Sequence, residues 1–63
     1  MMDAFEVLVQ QIDEKIGQLR DGVSNGNAQS FEEYKKICGE IRGLLTAKQY
    51  TLDLKQRMEN SDE

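Results

Sequence analysis

Ser30-Phe31-Glu32-Glu33-Tyr34-Lys35-Lys36-Ile37-Cys38-Gly39-Glu40-Ile41-Arg42-Gly43-Leu44-Leu45 opens the stretch that decides the fold. Ser30 with Glu33 is a capping box: the hydroxyl accepts from a free N–H of the first helical turn, and the Glu33 carboxylate reaches back to the N–H of Ser30. From Tyr34 the apolar residues recur as Ile37, Cys38, Ile41, Leu44, Leu45 and Leu52, the spacing of one face of an α-helix. The pattern predicts a helix over about residues 30–58, followed by a frayed acidic tail over 59–63.

Upstream, Phe5, Val9, Ile12, Ile16, Leu19 and Val23 recur at alternating steps of four and three, a heptad seam. This predicts a first helix over about residues 3–21, with Asp3 placed to cap it or to meet the positive end of its dipole. Gly22 offers a left-handed exit, and Asn25-Gly26 a second site where positive φ is cheap. Residues 22–29 therefore read as the turn of an antiparallel hairpin. The expected fold is all-α, one domain over 1–63, with core residues Phe5, Val9, Ile12, Ile16, Leu19, Tyr34, Ile37, Cys38, Ile41, Leu44 and Leu45. The second helix is longer than the first by roughly 8–10 residues, or about 12–15 Å at 1.5 Å per residue. On this reading it overhangs at its end, leaving Leu52, Leu54 and Met58 uncovered.

Size bears directly on function. A chain of 63 residues buries only about 60% of its unfolded surface on folding alone. Small scaffolds offset this with disulfides, metals or association. One cysteine and no histidine leave no internal disulfide and no usual ligand set for zinc or haem, so no cofactor is expected. Association remains, as a homo-oligomer, coiled coil or bound subunit. The lone thiol fits a reducing compartment, and Asp3 and Glu6 sit where a signal peptide wants positive charge. A cytoplasmic setting is the expectation, with no membrane span.

The formal charge of −4 argues against binding of nucleic-acid phosphates. Residues 1–29 hold five acids against Lys15 and Arg20, while residues 30–57 hold six bases against four acids. The two halves attract weakly if folded together. The bases are spread round the second helix, which is not the stripe a nucleic acid or an anionic membrane surface needs. Cys38 has no histidine to activate it and reads as structural. The acidic pairs Asp13-Glu14 and Glu32-Glu33 read as solvated helix surface, and residues 22–30 lack the lysine of a phosphate loop. Catalysis and a small-molecule substrate are not expected.

The pattern Gly39-x-x-x-Gly43-x-x-x-Ala47, continued by Tyr50 and Leu54, marks a second helix face roughly opposite Ile41 and Leu45. Interior glycines cost on the order of 1 kcal/mol each, and a small-residue groove that admits another helix is one way to offset that. The expected partner face is Gly39, Gly43, Ala47, Tyr50, Leu52, Leu54 and Met58.

The run from Ser30 to Leu44, with Arg57-Met58-Glu59, resembles a group of very short helical proteins encoded by tailed bacteriophages. The distinctive element is "SFEEYK-x-x-CG-x-I-x-G", and the likeness covers about half the chain. The first helix resembles the group only in being amphipathic and acidic. The resemblance implies a phage accessory or virion-associated protein at the head, portal or neck, present in the host cytoplasm during infection. It carries over no catalytic residue. From a different class comes a small acidic regulator or inhibitor that binds a host protein through the first helix.

Overall fold

The computed structural model describes residues 2–26 and 29–61. Two helices, α1 (Ala4–Ser24) and α2 (Phe31–Asn60), pack as an antiparallel hairpin. Asp3 caps α1, its Oδ1 accepting from the Glu6 N–H at 2.8 Å. Ser30 caps α2, its Oγ accepting from the Glu33 N–H at 3.1 Å. The Glu33 carboxylate reaches one residue further back than the capping box requires, to the Gln29 N–H at 2.8 Å.

Both helices end later than the composition suggests. Gly22 stays helical and half-buried, because Val23, the last seam residue of α1, is itself half-buried against α2. The chain leaves the helix at Asn25 and Gly26, whose N–H groups donate to the carbonyls of Asp21 and Val23. Gly26 takes φ +83°, a conformation open to glycine at no steric cost. At the far end Glu59 and Asn60 are helical, not frayed. There the Ser61 N–H donates to the Arg57 carbonyl and its hydroxyl to the Met58 carbonyl. The rest of the expected tail, residues 62–63, and turn residues 27–28 lie outside the described residues.

The core is thin. Among the described residues Ile12 and Ile16 are the buried ones, 8% and 5% exposed; Phe5, Val9, Leu19 and Val23 are half-buried along the same seam. On α2 the half-buried row runs Ile37, Cys38, Ile41, Leu44, and then Lys48, Thr51 and Lys55. The contact line thus turns polar halfway along α2. Tyr34 and Leu45, expected in the core, are exposed at 46% and 45%. At 100° per residue Leu45 and Leu52 lie about 60–80° round the helix from Ile37, whereas Lys48 and Lys55 fall within about 20° of it, so the seam passes through the lysines and leaves the two leucines on its flank.

The ion pairs set the register. Lys48 Nζ lies 2.8 Å from Asp13 Oδ1 and Lys55 Nζ 2.7 Å from Glu6 Oε1, so one heptad forward on α2 matches one heptad back on α1. Lys55 also approaches Asp3 at 3.5 Å and Glu59 at 3.9 Å. The start of α1 therefore reaches the last turns of α2, where Asp3, Ala4 and Phe5 border Lys55, Met58 and Glu59. The expected overhang beyond Thr51 is corrected by this register. Helix α2 does overhang, at its beginning: Arg20 falls beside Ile41, α1 ends at Ser24, and the turn of α2 before Tyr34, which itself borders Val23 and Ser24, has no helix opposite.

Ile16→Ala removes half of the buried core and is expected to cost about 2–5 kcal/mol. Val7→Ala, at an exposed site of α1, is expected to stay within about 0.5 kcal/mol. Thermal melts followed by circular dichroism check both.

Candidate partner interface

An elongated hairpin leaves surplus surface. The chain exposes 5133 Å², whereas a compact monomer of 7.2 kDa exposes about 4,100 Å². Its radius of gyration is 15.0 Å, against about 11 Å for a compact domain of this length. The surplus of about 1,000 Å² exceeds the roughly 800 Å² that one partner contributes to a standard interface. Large apolar side chains lie on that exposed surface, with Phe31 72% and Tyr50 70% exposed.

Helix α2 presents these side chains on two flanks. Gly43 shares a row with Tyr50, and Ala47 with Leu54, since residues seven apart lie at one azimuth of a supercoiled helix. All four are exposed, and a methyl group placed on Gly43 would meet nothing within 4 Å. This flank has the open, small-residue floor that the sequence pattern suggested. Gly39 is equally open but borders a different groove, with Phe31, Tyr34, Lys35, Cys38 and Arg42. Leu52 lies on that second side as well, seven residues on from Leu45. Met58 is exposed at the end of the seam, beside Phe5. The expected partner face therefore divides between two sides of α2.

The second flank is a row missed in the sequence: Phe31, Cys38, Leu45 and Leu52, each seven residues from the next. Phe31, Leu45 and Leu52 are exposed, and the Cys38 thiol is half-buried. The Lys35 ammonium stands 5.6 Å from the centre of the Phe31 ring, within cation–π range. The Cys38 thiol pushes the Tyr34 phenol above its ordinary value. The spacing of seven was the available signal, hidden because three of the four residues also fit a core helix face.

Among the described residues no group of three cysteine or carboxylate side chains gathers that could hold a metal ion. Among the same residues no helix is long and apolar enough to cross a membrane. No protein-family model, curated protein or solved structure matches the chain.

The polar half of the seam is sensitive to pH at both extremes. The Glu6 N–H, and then Lys55, hold the Asp3 carboxyl below its ordinary value. The Glu6 carboxylate, followed by the charges of Asp3 and Glu59, raises the Lys55 ammonium. The Asp3 contribution is present above the unfolded value of about 3.9 and is lost as pH falls through the folded one; the Lys55 contribution is present below about 10.4 and is lost as pH rises through the folded value. Melting temperature measured against pH should therefore fall at both ends. Asp3→Asn should shrink the acid limb and Lys55→Met the alkaline limb.

Proposed function

We propose that this chain is a non-enzymatic helical interaction module, a small assembly protein of a tailed bacteriophage that is held in the particle at the head, portal or neck. The observation that carries the reading is the surplus of about 1,000 Å² of exposed surface over a compact monomer. A hairpin with two buried side chains among its described residues gains stability from whatever covers that surface, so folding and binding are linked by mass action. Tyr50 and Leu54, one heptad beyond the open floor of Gly43 and Ala47, form the face offered to a larger protein component. The phage setting rests on the resemblance of residues 30–59. The chain acts in the host cytoplasm during infection and stays with the particle.

A second reading has its own support. Exposed Glu14 and Asp21 continue the row of exposed Val7 on the outer side of α1, a surface suited to a basic patch on a host protein. On that reading the chain is an acidic regulator or inhibitor.

Quantifying the protein in purified particles separates the two. The assembly reading expects a fixed copy number per particle, lowered at least tenfold by Gly43→Leu combined with Tyr50→Ala. Absence from particles, with capture of one soluble host protein that is lost on Asp21→Lys, would replace it with the regulator.

A further inference from the structure

The row Phe31, Cys38, Leu45 and Leu52 lies on the side of α2 away from Gly43 and Tyr50, and its occupant can be argued separately. Helix α1 holds four acids against two bases, and α2 six bases against five acids. Within one chain the two helices meet through Lys48 with Asp13 and Lys55 with Glu6. A second copy related by a twofold axis parallel to the helices lays α1 of each copy along α2 of the other. Every neighbouring pair is then antiparallel, and every acidic helix has a more basic helix on both sides.

Axial level is unchanged by such an axis, so the register within the chain also applies between copies. Leu52 comes level with Val9 of the other copy, Leu45 with Ile16 and Cys38 with Val23. The two rows are thus level at each heptad, with Val9 and Val23 half-exposed and Ile16 already covered within its own chain. The surplus surface is enough for one side of a standard interface. A twofold axis across the helices instead stacks α1 on α1, acid against acid.

We infer that a second copy of this chain covers the Cys38–Leu45–Leu52 flank, closing a twofold antiparallel four-helix bundle with the Gly43–Tyr50 flank on its outside. The inference rests on reading the chain as an interaction module. It names the first partner as the chain itself and leaves the opposite flank of α2 for the assembly.

Sedimentation equilibrium of the purified full chain tests it without any other component. The mass expected at micromolar concentration is twice that of the chain, falling to the single-chain mass in Leu45→Glu and staying doubled in Gly43→Leu with Tyr50→Ala. Because Leu45→Glu could act through misfolding, the arrangement is also read by distance. In a Cys38→Ser, Ser61→Cys chain carrying a nitroxide label, like ends lie together in the dimer and the expected separation is below about 25 Å, from interaxial spacings of about 10 Å. A single-chain mass at all concentrations, or a doubled mass unchanged by Leu45→Glu, would overturn the inference. So would a label separation near the 51 Å length of the molecule. Failure of particle incorporation with the doubled mass intact would count against the assembly role alone.

Discussion

Two helices have only one line of mutual contact, and in this chain that line changes from apolar to cationic halfway along α2. Ile37, Ile41 and Leu44 meet the second half of α1, while Lys48, Thr51 and Lys55 meet the first. Lysine can occupy a seam because its stem packs along apolar surface while the ammonium reaches the edge. Here the edge supplies Asp13, Glu6 and Asp3. Exposed ion pairs add little stability singly, but a one-residue slip would bring Lys48 and Lys55 away from their acids together. The pairs therefore act chiefly on register, and register decides which side chains are left outside.

From that register follows the distribution of exposed surface. Leu45 and Leu52 are outside because the seam passes through Ile41, Leu44 and Lys48 instead. The first turn of α2 stands free because α1 is matched to the far end of its partner through Lys55. The result is a hairpin with a narrow buried line and apolar rows on either flank of the longer helix. Such a molecule is expected to acquire much of its stability from association, since each further helix laid against it buries a row that a pair of helices must leave in water.

The two flanks differ in kind. Gly43 and Ala47 provide a smooth floor with Tyr50 and Leu54 at its end, a shape suited to the close approach of another helix. Cys38, Leu45 and Leu52 are protruding side chains in heptad order, level with the apolar row of α1. A single chain can thus present one surface for its own copy and another for a larger component.

The helices, their starts and the antiparallel pairing were legible in the sequence, because a capping serine or aspartate and a three-four apolar alternation are local properties. Ser30 and Asp3 cap as their positions require, and Phe5 to Val23 form the seam of α1 as spaced. Which residues of α2 complete that seam was decided only in the tertiary structure. By residue type Tyr34, Leu45 and Leu52 were the candidates for burial, whereas Lys48 and Lys55 continue the four-three spacing of Ile37, Ile41 and Leu44, and the lysines lie inward with the apolar side chains outward. Apolar spacing records what a helix can bury, whereas the burial itself depends on the partner's charges and on the supercoil that brings the two helices together. Those are properties of the pair of helices, and neither segment contains them alone.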